Sequence, residues 1–458
     1  ATLMSHGYQV GQGSDRKPGA GRAAAGSWLT ALHGAAGQGE VLALPYADPD
    51  VAAAARSGPA LATEVQVATR VGQALLSRTF GTTPLAYSWP PDGLADQRTI
   101  DTLFAAGVTT VVLDSQALPI VGGEPSETPG AHTTVPSRDG HLEALLSDHT
   151  LTGVVQDGAA DPTQGPLAVQ RMISELLMIQ AERPSDPRSI VIAPDRRWSP
   201  SPAYAAALLA ESGRVPWIAP VTLSQVAAGP TYDIQRGPLA YPAAERAQQL
   251  SRGYLLGVAA IKRRIDAFAG ILPAGDAQAR SFDSGILRLL SSAWRLDPAG
   301  AIDQRNTLRA DVLATMNRVR IASADKSLVT LTSHTGTVPV TIRNDLDTPV
   351  RVVVGVAPSL HLVVKGGRIT RTIAPHRQVP VDVRATALTS GVFPLTVTLY
   401  TPTGQRYGDS VQLFVRSTAY GVTALLITGG ATAVLLLTVV GRLARRARAA
   451  RRAARGST

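Results

Sequence analysis

The sequence predicts a multidomain α/β plus all-β protein: a (β/α) barrel, a three-helix unit, an Ig-like β-sandwich and one C-terminal transmembrane helix. Three observations predict it. Between 27 and 235, short apolar runs alternate with helix-like runs, the pattern of a parallel sheet covered by helices. Between 323 and 418, apolar and polar residues alternate singly between turn residues, as in a small antiparallel sandwich. From Gly421 to Gly441 the chain carries no charge, a length that at about 1.5 Å per residue crosses a hydrocarbon core of about 30 Å.

Residues 1–26, Gly-rich and polar, read as a flexible segment. In the barrel region VLALPYADPD (41–50) is a buried-type apolar run with acidic residues at its end. Asp50 then reads as the N-cap of a helix over VAAAARSG and Gly58 as its stop. LAYSW (85–89) is the next strand, ADQRTIDTLFAAG a helix closed by Gly107, and VTTVVLD (108–114) another strand. LTGVVQD (151–157), SIVIAPDRR (189–197) and PWIAPVTL (216–223) read as further β-like runs. Between them lie helices over 167–184 and near YAAALLAESG. About six such units suit a barrel or an open doubly wound sheet. The repeated acidic strand ends favour the barrel, whose C-terminal rim collects polar groups. The stretch 120–150 reads as a long loop over that rim.

Residues 236–322 change period. Leu250, Tyr254, Leu255, Val258, Ile261, Ile265, Phe268 and Ile271 recur every three or four positions, and two similar patterns follow through Phe282–Trp294 and Leu308–Val319. Three amphipathic helices are expected. From 323 to 418 come eight strand-like runs, from SLVTLTS to VQLFVR. The span is taken as 419–441, with Tyr420 at the membrane interface. The basic tail is 442–458.

Composition narrows the function classes. The formal charge is +10, but Arg442, Arg445, Arg446, Arg448, Arg451, Arg452 and Arg455 supply seven of those charges, leaving +3 for the rest. No nucleic-acid-binding body is implied. The tail suits anionic lipid headgroups, and an arginine cluster beside a span marks the cytoplasmic side. The bulk is therefore expected outside the cell membrane. Cysteine is absent, which excludes disulfides and thiol chemistry. Export needs a signal, and residues 1–25 have no apolar core of one. The expectation is a longer precursor, the alternative a tail-anchored cytosolic protein.

The order of barrel, helices and sandwich over about 27–418 resembles glycoside hydrolases of the α-mannosidase and α-amylase-like (β/α)7 type, whose barrels resemble polysaccharide deacetylases. LALPYADPD (42–50), PWIAPVTL (216–223), SSAWR (291–295), VPVTIRN (338–344) and FVRSTAYG (414–421), with the arginine tail, carry a closer likeness. These residues resemble an uncharacterised family of actinobacterial single-span envelope proteins, whose gene often lies beside that of a lipid II flippase. The resemblance implies a part in cell-wall assembly with a membrane partner. It supplies no catalytic residues.

A glycosidase needs two carboxyl groups across the scissile bond. Strand-end candidates are Asp48, Asp50, Asp114, Asp157 and Asp195. Asp48, Asp114 and Asp195 would carry catalysis. Asp195, Arg196 and Trp198 would bind a carbohydrate ligand, with Trp198 stacking on a sugar face. The plain alternative is that Asp48 and Asp50 cap a helix and Asp195 pairs with an arginine. His33, His132, His141 and His149 lack metal-ligand spacing, so no metal is expected. Without a P-loop or dinucleotide fingerprint no cofactor is expected either. In the span, Gly429 and Ala433 form a small-xxx-small pair that lets a partner helix approach. The favoured reading is a non-catalytic envelope scaffold. The alternative is a polysaccharide hydrolase or deacetylase.

Overall fold

The computed structural model describes residues 9–10, 17–123, 125–161, 163–232, 234–323, 327–331, 333–357, 359–417 and 422–453. The chain divides into two compact units, Ala1–Ala260 with Ser284–Thr307, and Ile261–Asp283 with Leu308–Thr458. The boundaries expected at 235 and 322 do not coincide with this division. It runs instead through three helices of the 236–322 region, α10 (Arg252–Ala269), α11 (Ala277–Leu289) and α12 (Pro298–Met316).

The first unit begins with a two-residue pairing of β1 (Gln9–Val10) and β2 (Lys17–Pro18) and the helix α1 (Arg22–Ala36). Then come α2 (Val51–Arg56), α3 (Pro59–Phe80), β3 (Tyr87–Ser88), α4 (Gln97–Ala105) and β4 (Thr110–Asp114). The hairpin β5 (His132–Ser137) and β6 (Gly140–Ser147) leads to α5 (His149–Ala160), α6 (Gly165–Glu182), α7 (Pro202–Ser212), α8 (Leu223–Ala228) and α9 (Ala243–Ala247). The sheet order is β3-β4-β6-β5, parallel except for the β5–β6 pair. Parallel bridges add Leu42 beside Leu85 and Val191 beside Ser147. The parallel positions thus follow one another in chain order. Among the described residues no pairing closes the sheet into a ring.

Three expectations need correction. The stretch 120–150 is not simply a loop: it contains β5 and β6, with Leu142, Ala144 and Leu145 fully buried. LTGVVQD is helical, in α5. Asp148 caps it, accepting from the Leu151 amide at 2.8 Å. Leu151, Val154 and Val155 then fall on its buried face. PWIAPVTL makes no strand. Its last residues enter α8 through a capping box of Thr222 and Gln225. The helices α5, α6 and α7 pack so closely that a Cβ at Gly158 would lie 2.3 Å from Tyr204 Oη and 2.4 Å from Ala168 Cβ.

Local signals elsewhere in the unit hold. Asp50 caps α2 as expected, and Asp96 caps α4 through the Thr99 amide and hydroxyl at 3.0 and 2.7 Å. Burial raises the pKa of the Asp96 carboxyl, but the bonds from Thr99 and from Arg56, at 2.6 Å, outweigh it and hold the group below its usual value. A carboxyl depressed in this way stabilises the fold above its unfolded pKa, and that stability is lost as pH falls through the folded one. Asp96→Asn should therefore lower the urea midpoint at neutral pH and flatten its decline below about pH 4. Parallel acid limbs in the two proteins would count against this.

The second unit holds all eight expected strands. Its five-stranded sheet is β12 (Arg368–Ile373), β10 (Val350–Ala357), β14 (Gly391–Tyr400), β15 (Arg406–Ser417) and β8 (Leu328–Leu331) in spatial order. The facing four-stranded sheet is β11 (Leu362–Lys365), β13 (Arg377–Ala387), β9 (Thr335–Asn344) and β7 (Val319–Ile321). Every pair is antiparallel except β15–β8. Val338, Val340 and Ile342 of β9 and Val350, Val352 and Val354 of β10 are buried at alternate positions, the two-residue period that sandwiches require. At the end of β9 the fully buried Asn344 donates to the carbonyls of Thr348, Ile373 and Ala374 at 2.9–3.2 Å and accepts from the Leu346 amide at 3.0 Å.

The helix α13 (Val422–Ala453) ends the described chain. Its stretch Ile427–Arg446 has a mean hydropathy of 1.7, has no residue buried in the fold, and is long and apolar enough to cross a membrane. The helix continues beyond Gly441 because alanine and arginine are both strong helix formers. Tyr420 and the end of the tail lie outside the described residues.

Candidate functional site

A cleft of about 450 Å3 lies at the C-terminal ends of the parallel strands. Its wall is built where the parallel strands end. Trp89 follows β3, Asp114 ends β4, Ser147 ends β6, and Ala193 and Asp195 follow the bridge at Val191. Asp92, Asp157 of α5 and Glu245 of α9 add three more carboxyl groups. The strand-end aspartates Asp114, Asp157 and Asp195 thus share one cleft. Asp157, however, arrives on a helix and not on a strand.

Asp114 is held on both oxygens. Gln116 N donates to Oδ1 at 2.8 Å and the Nδ1–H of His149 donates to Oδ2 at 3.0 Å. Gly93 makes this close fit possible. It has φ +66°, and a Cβ there would lie 2.5 Å from the Asp114 amide nitrogen, so a side chain would displace the carboxylate's own backbone. Asp195 is held on one oxygen only, by the Arg197 amide at 2.6 Å. Its other oxygen accepts no hydrogen bond among the described residues.

Arg196 also lines the cleft. Its guanidinium lies 5.5 Å from the centre of the Trp89 ring and pairs with Asp48. Asp48 itself is not in the cleft wall. Ser292 fixes it, donating its hydroxyl to Oδ2 at 2.9 Å and its amide to the Asp48 carbonyl at 2.7 Å. Asp48 therefore supports Arg196 and does not face a ligand. Asp50 lies deeper still. Fully buried, it accepts from Ala53 N, Leu250 N and both Nε and Nη2 of Arg295. The remaining fork nitrogen of Arg295 reaches Asp92 at 2.8 Å. Burial pulls the Arg295 pKa down, but the Asp50 carboxylate outweighs it and holds the guanidinium above its usual value.

Trp198 is not part of the cleft. Its ring packs edge-on to Tyr204 at 6.3 Å and against the core of α5, α6 and α7. The aromatic that lines the cleft is Trp89, whose signal was its place at the end of the strand-like run LAYSW. The histidines do not gather. His132 is buried between the Glu143 carboxylate at 2.7 Å and the Gly229 carbonyl at 2.8 Å. His141 lies 3.9 Å from the other Glu143 oxygen. Among the described residues no group of three or more His, Asp and Glu is placed to hold a metal ion. Gly429 has open space around it, and the helix segment that carries both Gly429 and Ala433 is exposed.

A family model described as "Family of unknown function (DUF6049)" matches residues 14–452. The chain belongs to the DUF6049 family. No curated protein matches it in sequence. Among solved structures, this DUF6049 chain is similar to a GH57 branching enzyme from the hyperthermophilic archaeon Thermococcus kodakaraensis, at 14% identity and a TM-score of 0.48, covering 65% of this chain and 70% of that one. It is also similar to the α-amylase AmyC from Thermotoga maritima, at 12% identity and a TM-score of 0.47, covering 64% and 70%. A PapD-like domain of human CEP192 matches 22% of the DUF6049 chain and 87% of its own length, at 14% identity and a TM-score of 0.18. None of the three assigns a role to a residue of this chain.

Proposed function

We propose that this protein is an envelope protein anchored by α13, with both units outside the membrane, and that the strand-end cleft binds a saccharide without turning it over. One observation carries the reading: five carboxyl groups and the indole of Trp89 line a single cleft. Carboxylates accept from vicinal sugar hydroxyls, and an indole packs on the apolar face of a sugar ring. Binding is favoured over turnover because Asp114 commits both oxygens to the protein and Asp48 is turned toward Arg196 and Ser292.

Titration calorimetry with soluble peptidoglycan fragments and neutral chito-oligosaccharides tests the proposal. Trp89→Ala and Asp195→Asn should each weaken binding at least about tenfold, that is by about 1.4 kcal/mol. No binding by any saccharide, or unchanged affinity in both variants, would overturn it.

The second reading is a hydrolase or deacetylase acting on wall glycan. The unengaged oxygen of Asp195 favours it. Product release by the native chain that disappears in Asp195→Asn would replace the binding reading with this one. Docking of α13 to a polytopic partner such as the lipid II flippase rests on the small residues Gly429 and Ala433. Retention of that partner in detergent should fall in Gly429→Leu with Ala433→Leu. Equal recovery would remove this part of the proposal.

A further inference from the structure

A second cavity, of about 330 Å3, opens beside the first, and Gln116 lines both. The two differ in charge. The first holds five carboxyl groups and one arginine, Arg196, which Asp48 neutralises. The second holds Arg236 and Asp148, and Asp148 is engaged in capping α5. Arg236 is half-buried. Its Nη1 donates to the Leu118 carbonyl at 3.0 Å, its Nε is buried without a partner, and no carboxylate pairs with it among the described residues. Burial lowers its pKa.

The segment that carries Arg236 is fixed. Val121 N donates to the Gln235 carbonyl at 3.1 Å, Gly237 N to the Pro119 carbonyl at 2.7 Å, and Ala240 N to the Ala117 carbonyl at 2.8 Å. Residues 117–121 and 235–240 therefore form a short antiparallel brace with Arg236 opposite Ile120. A positioned, half-buried guanidinium with no counter-charge among the described residues is unfavourable until an anion completes it.

We infer that Arg236 is the anion-binding end of one continuous ligand groove, and that the saccharide taken by the acidic cleft carries a carboxylate. This inference rests on the saccharide-binding reading above. The acidic half fixes the polarity, because a carboxylate placed beside Asp114 and Asp195 would be repelled, whereas at Arg236 it forms a two-pronged ion pair. The neutral part of the chain then lies along Trp89 and the strand ends.

The test compares chitotetraose with a hyaluronan tetrasaccharide, which carries glucuronate carboxylates, by calorimetry on the full chain in detergent. The acidic oligomer should bind at least about tenfold more tightly. Arg236→Gln should abolish that preference, and Arg236→Lys should retain part of it. Inorganic phosphate is the competing source of charge. If it displaces the acidic oligomer while acetate does not, the subsite is a phosphate site and the carboxylate assignment is overturned. Equal binding of the two oligomers by the native chain, or a preference that survives Arg236→Gln, overturns the inference and leaves the saccharide-binding reading standing. Failure of both oligomers to bind overturns both.

Discussion

Arg295→Ala should be among the most destabilising single changes in the first unit, at about 3–5 kcal/mol, the usual cost of leaving a buried charge without its partner. Asp50 is fully buried, and Arg295 offers it a two-pronged contact at 2.9 Å. Removing the guanidinium strands that carboxylate and also frees Asp92 at the cleft wall. An apolar replacement of the pair is not neutral here, because Asp50 also accepts from the Ala53 and Leu250 amides. Arg295→Lys, a point charge without the fork, should recover only part of the loss. Hydrogen exchange at the Ala53 and Leu250 amides reads this unit separately from the other. Unchanged exchange in Arg295→Ala would refute the assignment.

Asn344→Ala should cost the sandwich about 3 kcal/mol. The two N–H of the Asn344 amide serve three backbone carbonyls, one of them shared, and its oxygen accepts one N–H. Each buried polar group left unmade costs about 1–3 kcal/mol. Asn344→Asp should be as harmful or worse, because a carboxylate cannot donate to the carbonyls of Thr348, Ile373 and Ala374. Urea unfolding followed at the β9 and β12 amides decides the matter. A loss below about 0.5 kcal/mol, the size of an ordinary surface substitution, would show that the carbonyls find other donors.

Much of the fold was legible because its signals are local. Alternation located the eight strands of the sandwich, and Asp50 with VAAAAR located a capped helix. The aspartates at 114 and 195 were legible as strand ends, and both line the cleft. The hairpin at 132–147 was missed because His132, Pro136 and His141 resemble loop residues, although Leu142, Ala144 and Leu146 carry the alternation. LTGVVQD was misread because its valines favour strands, while the capping Asp148 was the better signal. Trp198 and Trp89 could not be ranked from sequence, since which of them a packed cluster covers depends on α5, α6 and α7 meeting. The pairs Arg196–Asp48 and Arg295–Asp50 join residues 148 and 245 positions apart. No local pattern encodes contacts at that separation. Arg236 was invisible for the same reason, because its brace joins 117–121 to 235–240.

The first unit is discontinuous, and this bears on how the protein is made. A nascent chain that has emerged only to Ala260 already contains α1 to α9, the whole sheet and the cleft wall, yet it lacks Ser292 and Arg295. Its Asp50 would then be an uncompensated carboxylate in the centre of the core, and Asp48 would have only Arg196. The ion pair of Asp50 is therefore completed only once Arg295 has emerged, by which time Ile261–Asp283 of the second unit has emerged as well. Recombinant fragments ending near 260 should be made with 284–307 supplied, and not as free-standing domains.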